Sequence, residues 1–189
     1  MKRVFRAGIK FLLLLSVVFL IPQPVARAEL FEASLGFSFT RQNFSAGNFS
    51  WNRRWGGSLG LKFSPVSSIE LSFQDVVDRN KIIGYEDTQF RDRVYSVNWI
   101  QNLFTFAWIQ PYFKVGAGQL NREATGEYGN GTSPNPRTDS ITAVIGGGSR
   151  FYITRTFGIR AEVTSYLTGG SIRTYRDNVG FTVGGSFAF

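Results

Sequence analysis

Alternating apolar and polar positions are the dominant pattern in this sequence. From Phe31 to Phe39 every second residue is apolar, and the residues between them are small, polar or charged. Successive side chains of a strand point to opposite faces, so residues 29–40 are predicted to form a β-strand with one apolar face. The last segment, residues 179–189, repeats this pattern with a single gap at Gly185.

Six further segments alternate in the same way, which predicts eight strands in all. They are residues 58–63, 69–74, 95–99, 109–120, 140–151 and 157–164. Short connections (64–68, 102–108, 153–156) alternate with long ones (41–55, 75–92, 121–138, 168–177). The densely charged segment 75–92 is expected to consist of strand extensions that meet in a solvated loop. Short turns on one rim and long loops on the other are typical of outer-membrane barrels, whose strands cross in roughly 9–11 residues. The pattern therefore predicts an all-β fold, an eight-stranded antiparallel up-and-down transmembrane β-barrel.

A cleaved leader is predicted ahead of the barrel. Residues 1–10 carry four basic residues, residues 11–21 are apolar apart from one serine, and an Ala-Arg-Ala ending closes at Ala28. This arrangement is typical of a secretory signal peptide, which we assign to residues 1–28, with the barrel domain at 29–189. A membrane-spanning helix would need about 18 or more apolar residues.

The formal charge of +8 is mostly a property of the leader. Residues 1–28 hold five of the 21 basic residues and none of the 13 acidic ones, so 16 basic residues face 13 acidic ones in the remainder, a net charge of +3. Nucleic-acid binding needs a basic face on the domain itself and is not expected. The chain has no His and no Cys, so Ser-His-acid hydrolases, His-ligated zinc enzymes and disulfide-stapled scaffolds are disfavoured. We expect neither enzymatic activity nor a cofactor.

Four segments carry a family resemblance. They are Pro111–Gly118 (PYFKVGAG), Gly146–Gly148, Phe157–Val163 (FGIRAEV) and the terminal Phe187–Phe189. These segments resemble the broad outer-membrane β-barrel domain family of small eight-stranded bacterial proteins. The resemblance implies a place in the bacterial outer membrane, with lipid, lipopolysaccharide and, during insertion, the barrel-assembly machinery as partners. It also implies that a terminal aromatic preceded by alternating apolar residues is the assembly signal, matched here by Phe181, Val183, Phe187 and Phe189.

Charged residues on the polar face are the main candidates for a site. If the apolar face meets lipid, the other face fills a lumen wide enough only for side chains or one small ligand. Seven charged residues fall on this face, all toward the predicted periplasmic half: Glu32, Lys62, Glu70, Lys114, Arg150, Arg160 and Glu162. We expect Glu32, Lys62 and Glu70 to meet across the first three strands, and Arg150, Arg160 and Glu162 across strands six and seven. Buried charges persist when paired, which predicts a lumen plugged by salt bridges.

Aromatic residues near the predicted strand ends are expected to form girdles at the lipid headgroups. They are Trp51, Trp55, Tyr85, Trp99, Trp108 and Tyr166. Arg53 and Arg54 lie beside one of them and are candidate contacts for lipopolysaccharide, because Arg pairs bidentately with phosphate. Their alternative interpretation is as solvated loop charges.

Three functions stay open at this point. The first is a monomeric structural or surface-interaction barrel whose long loops contact lipopolysaccharide, other cells or host molecules. The second is a narrow channel or transporter for small or apolar solutes, which conductance or a lateral opening in the wall would favour. The third is a soluble carrier barrel with its bulky face inside, in which Phe37, Leu61, Ile159 and Phe181 would share an interior. We expect the first.

Overall fold

The chain forms a closed barrel of antiparallel strands. The structure is a computed structural model that describes residues 30–45, 47–84, 86–106, 108–128, 131, 133, 137–168 and 179–189. Within these residues each strand pairs with its neighbours in sequence, and the last strand pairs with the first. The strands are β1 (Phe31–Ser45), β2 (Asn48–Lys62), β3 (Ser67–Ile82), β4 (Glu86–Asn102), β5 (Ile109–Tyr128), β6 (Arg137–Tyr152), β7 (Phe157–Thr168) and β8 (Val179–Ala188). The predicted eight-stranded fold is confirmed, whereas the predicted signal peptide lies outside the described residues.

The bulky apolar side chains point away from the lumen. Phe37, Leu61, Ile159 and Phe181 are 54%, 42%, 40% and 54% exposed. They therefore form an outer surface suited to hydrocarbon rather than a shared interior, and the soluble-carrier interpretation is wrong. In the described part of the chain, no helix is both long enough and apolar enough to cross a membrane.

Two of the predicted long loops are mostly strand. β1 runs to Ser45 and β2 begins at Asn48, so the segment 41–55 is a tight hairpin with Gly47 in the left-handed region at its tip (φ 84°). β5 likewise runs on to Tyr128. These outer portions carry polar residues on both faces. The sequence therefore shows no apolar alternation there that would have indicated strands. The predicted strand extensions between residues 75 and 92 are present.

The β1–β8 seam closes the barrel over only part of its height. Pairing runs from Glu32–Ala188 to Phe37–Val183, although β1 continues to Ser45. At the lower end Phe31 and Phe189 exchange two backbone hydrogen bonds of 3.0 Å, and their rings stack with centroids 5.9 Å apart. Beyond Phe37 the described parts of the two strands do not pair, and a hollow of about 430 Å³ lies between them.

Candidate functional site

Side chains that point into the barrel form three levels. A charged level lies toward the short turns at residues 63–66 and 153–156, an apolar level lies above it, and a second polar level lies toward the opposite, outer rim. The lower charge cluster, as we name the first level, consists of Glu32, Lys62, Glu70, Tyr112, Lys114, Arg150, Arg160 and Glu162. The upper polar level consists of Asn52, Arg54, Asp78, Asp92 and Arg122.

Arg160 lies at the centre of the lower charge cluster. Its guanidinium donates to Glu70 across the lumen, with Nη2 3.3 Å from Oε1, and to Glu162 on its own strand, with Nε 3.0 Å from Oε2. Nε also lies 2.6 Å from the Tyr112 hydroxyl oxygen. All four side chains are buried. Arg160 therefore joins β3, β5 and β7 through the interior of the barrel.

Glu162 is the most fully hydrogen-bonded anion of the cluster. The Tyr112 hydroxyl and the Thr164 hydroxyl each donate to its carboxylate at 2.6 Å, and Lys114 donates to it as well. Lys114 Nζ also lies 3.9 Å from Glu70 Oε1. Because burial of an unpaired carboxylate is costly, these donors are what allow Glu162 to remain ionised inside the barrel.

Arg150 forms the second part of the cluster. Its Nε donates to Glu32 Oε1 at 2.7 Å and its Nη1 to Asn102 Oδ1 at 2.8 Å. Lys62 Nζ lies 3.9 Å from the other carboxylate oxygen of Glu32. Arg150 and Arg160 also lie over the Tyr112 ring, with guanidinium carbons 4.6 and 5.0 Å from its centroid. The Tyr112 ring therefore makes a favourable contact with both cations.

The seven charged residues singled out from sequence all reach this region, but their pairing differs from the expected one. Glu32 approaches Lys62 as expected, whereas Glu70 pairs with Arg160 and Lys114. Arg150 pairs across the lumen with Glu32 instead of with Glu162. The reason is geometric, because closing the sheet brings β6 and β7 opposite β1 and β3. Sequence reasoning missed Tyr112 as a site residue, although its even position places it on the same face as Lys114.

An apolar level separates the two polar ones. Val94, Leu120, Val144 and Tyr166 are each at most 5% exposed and contact one another inside the barrel. The placement of Tyr166 corrects its assignment to the interfacial girdle, because its position on β7 points it inward. Tyr85, another predicted girdle residue, lies outside the described residues.

The upper polar level contains two satisfied pairs. Asn52 Nδ2 donates to Asp78, and Arg122 binds Asp92 through Nε and Nη2 at 2.7 and 2.6 Å. Both carboxylates are thus already bound to neighbouring side chains.

Arg53 and Arg54, predicted as a pair of lipopolysaccharide contacts, lie on opposite faces of β2. Arg53 is exposed on the outside, whereas Arg54 points into the lumen and is 4% exposed. Adjacent strand residues must point to opposite faces, so the two side chains cannot share one external phosphate. The prediction for Arg54 is corrected on this ground, and that for Arg53 stays a prediction.

A band of charged side chains lies on the outside of β2 to β5, just beyond the exposed aromatics. Arg91 Nη2 lies 2.7 Å from Asp75 Oδ2, and Arg93 Nη1 lies 3.1 Å from Glu123 Oε1. We name Arg53, Asp75, Arg91, Arg93 and Glu123 the outer collar. The collar lies where the strands leave the apolar belt, a position suited to lipid headgroups. Within the described residues no set of three acidic side chains could hold a metal ion.

A family model described as "Outer membrane protein beta-barrel domain" matches residues 11–187. The chain belongs to this family. The barrel therefore resides in the outer membrane of a Gram-negative bacterium, as its exposed apolar belt and closed sheet require.

Two solved structures illustrate the family fold. Ail, the attachment invasion locus protein of Yersinia pestis, aligns with a TM-score of 0.50 at 15% identity, over 85% of this chain and 99% of Ail. Neisserial surface protein A (NspA) aligns with a TM-score of 0.51 at 16% identity, over 86% of this chain and 98% of NspA. At these identities the likeness concerns the fold alone. Comparison with curated proteins gives no match.

Proposed function

We propose that this outer-membrane barrel is a non-conducting protein of the cell envelope that acts through its outer surface, with its lumen plugged by the lower charge cluster. The observation that carries the proposal is the set of contacts around Arg160. They tie β3, β5 and β7 together through the interior with side chains that are at most 8% exposed.

The space left beside the cluster is small. A cavity of about 60 Å³ lies between Ser34, Gly36 and the Glu70, Lys114 and Arg160 side chains, which is room for a few water molecules. The cluster also contains both signs of charge, whereas a selective pore usually has a ring of one sign. These two features favour a plug over an ion path.

Planar-bilayer recording tests the proposal. The wild-type protein is expected to give no conductance steps, because ions would have to pass the desolvated Glu70–Arg160 pair. The double substitution of Glu70→Ser with Arg160→Ser removes both members and should introduce steps. The double substitution of Arg53→Ser with Glu123→Ser removes one positive and one negative charge from the outer surface and should not introduce conductance steps. Steady conductance by the wild-type barrel would instead support the channel function.

The proposal assigns partners to the outside of the barrel. Arg53 is exposed within the outer collar and is proposed to contact lipopolysaccharide phosphate, since guanidinium groups pair well with phosphate. Phe181, Val183, Phe187 and Phe189 are 42–58% exposed on the outside of the sheet, which supports their role as an assembly signal. We propose a monomer with a surface role. The structurally similar protein Ail is, by its name, an attachment and invasion protein, which agrees with such a role.

The proposal includes no catalytic role and no cofactor. The buried carboxylates of the lower charge cluster are each bound to a cation, and Glu162 accepts two hydroxyl donors in addition. A carboxylate held in this way is poorly suited to exchange protons with a substrate. An activity screen of the intact barrel with ester, lipid and phosphate substrates should therefore show no turnover.

A further inference from the structure

Arg54 is the least satisfied charged group in the described part of the barrel. Its side chain is buried at 4% exposure, and its Nε and Nη1 atoms have no hydrogen-bond partner there. The Tyr166 ring lies 5.9 Å from its guanidinium carbon. An aromatic face stabilises a cation but supplies no hydrogen-bond acceptor aligned with those two N–H groups. Burying such a charge is costly, so the group is suited to binding an anion.

The neighbouring carboxylates do not accept hydrogen bonds from Arg54. Asp78 accepts from Asn52, and Asp92 is held bidentately by Arg122. Both carboxylates contribute a favourable field at Arg54 without a direct hydrogen bond. Gly180 leaves room for the guanidinium, because a Cβ added there would lie 0.9 Å from Arg54 Nη1. The absence of a side chain at this position is what lets Arg54 lie against β8.

Arg54 lies directly behind the opening in the wall. It lines both an inner cavity of about 170 Å³, shared with Asp78 and Tyr166, and the hollow of about 430 Å³ at the β1–β8 seam. On the outside Phe37, Phe39 and Phe181 flank this hollow and are 54–55% exposed. The site therefore has a cationic inner end and an apolar mouth that faces the membrane.

We propose that Arg54 binds the head group of a single-chain amphiphilic carboxylate, which enters sideways from the membrane through the β1–β8 seam. A carboxylate matches the geometry of a guanidinium, and the apolar mouth matches an acyl chain. The hollow falls within the roughly 300–1,000 Å³ range of small-molecule sites. Below the site lie the apolar level and the lower charge cluster, so the chamber is closed toward the periplasm and the lateral opening leads to a binding site, not to a transport path.

Binding of radiolabelled dodecanoate to the barrel in phosphatidylcholine nanodiscs tests this inference, with empty nanodiscs as background. The wild type should show one saturable site, and Arg54→Gln should weaken binding by roughly tenfold or more, since a charge-assisted hydrogen-bond pair is lost. Arg79→Gln makes the same change on the exposed part of the β3–β4 hairpin, away from the seam, and should keep wild-type affinity. Equal affinity of the Arg54→Gln protein, or an equal loss in the Arg79→Gln protein, would overturn the proposal.

Competitors separate the head group from the chain. Dodecanol has the chain without the charge, and acetate has the charge without the chain, so neither should displace dodecanoate at matched concentration. If either one competes as well as unlabelled dodecanoate, the site is not one for an amphiphilic carboxylate.

Two further variants keep the test decisive if Arg54→Gln fails to fold, which heat-dependent gel mobility would reveal. Gly180→Ala retains the charge but displaces the guanidinium, and unchanged dodecanoate binding in it would contradict the proposal. Phe39→Cys with Phe181→Cys allows a short reducible cross-link across the seam of a chain that has no other cysteine. The cross-link should block binding and its reduction should restore it, whereas binding that persists with the seam cross-linked would rule out lateral entry.

Discussion

Tyr112 is the residue on which both halves of the lower charge cluster meet. Its hydroxyl accepts from Arg160 and donates to Glu162, and the guanidinium groups of Arg150 and Arg160 both lie over its ring. A single side chain thus supplies a hydrogen-bond relay and an aromatic face.

Replacing Tyr112→Phe tests the hydroxyl separately from the ring. The ring still lies under both arginines, but Arg160 loses one acceptor and Glu162 one donor. We expect the free energy of unfolding to fall by about 1–3 kcal/mol, the cost of leaving buried polar groups unsatisfied. Urea unfolding in lipid vesicles, followed by tryptophan fluorescence, measures it. Tyr95→Phe, at an exposed outer position, is the control, and a loss of equal size there would contradict a special role for Tyr112.

Glu70 offers a second test at the residue scale. Glu70→Gln leaves the buried Arg160 with one carboxylate in place of two, and removing one partner of a buried ion pair costs roughly 3–5 kcal/mol. The same Glu→Gln change at Glu123, whose partner Arg93 is on the outer surface, should cost no more than about 1 kcal/mol. Unfolding free energies that do not differ between these two proteins would show that the Glu70–Arg160 pair adds no stability.

At the scale of the strands, the β1–β8 seam is the weakest joint of the barrel, because its pairing covers only part of β1. Gly184 lies in this joint opposite Gly36. A Cβ at Gly184 would lie 1.8 Å from the Leu35 carbonyl oxygen, whereas one at Gly185 would meet only the edge of the Phe157 ring, at 3.3 Å. Two adjacent glycines therefore differ sharply in what they tolerate.

Gly184→Ala should accordingly loosen the seam. Backbone must move to admit the methyl group, and overpacking of this kind costs about 1–3 kcal/mol of unfolding free energy. Gly185→Ala is the matched control and should stay close to wild type, because an aromatic ring can give way. The urea midpoint of each protein in the same vesicles measures the difference. A wild-type midpoint for the Gly184→Ala protein would mean that the seam is not closely packed there.

The strands also show what the sequence could and could not predict. Alternation placed all seven charged residues of the lower charge cluster on the lumen face, whereas Arg54, predicted as a lipopolysaccharide contact, points inward. It could not predict which charges meet, because Glu32 and Arg150 are 118 positions apart and pair only after the sheet closes. The hairpin through Gly47 was missed for another reason. Beyond the outer collar the hairpin carries polar residues on both faces, so most of the segment 41–55 shows no apolar period.

For the molecule as a whole, β8 closes the barrel by pairing with β1. Phe189 exchanges backbone hydrogen bonds with Phe31, and its ring stacks on that of Phe31 and lies 6.1 Å from that of Phe187. The end of the chain thus makes the last contacts of barrel closure. The same residue is the final position of the predicted assembly signal.

Phe189→Ala should therefore reduce the amount of folded barrel in the outer membrane. Both the stacking at the seam and the aromatic signal are lost, and the fraction with heat-dependent gel mobility should fall several-fold after pulse labelling. Phe63→Ala removes an equally exposed phenyl group near a turn and should leave insertion unchanged. Normal insertion of the Phe189→Ala protein would show that assembly does not require the terminal aromatic residue.

The β3–β4 hairpin continues beyond the outer collar as paired strand, with Arg79 opposite Gln89 and Lys81 opposite Asp87. Any antibody or receptor that approaches this wall meets side chains drawn alternately from two antiparallel segments. Neither segment by itself reproduces that surface. A linear peptide copied from residues 75–82 should thus fail to compete for a binder raised against the native barrel, whereas a cyclised hairpin spanning both strands should succeed.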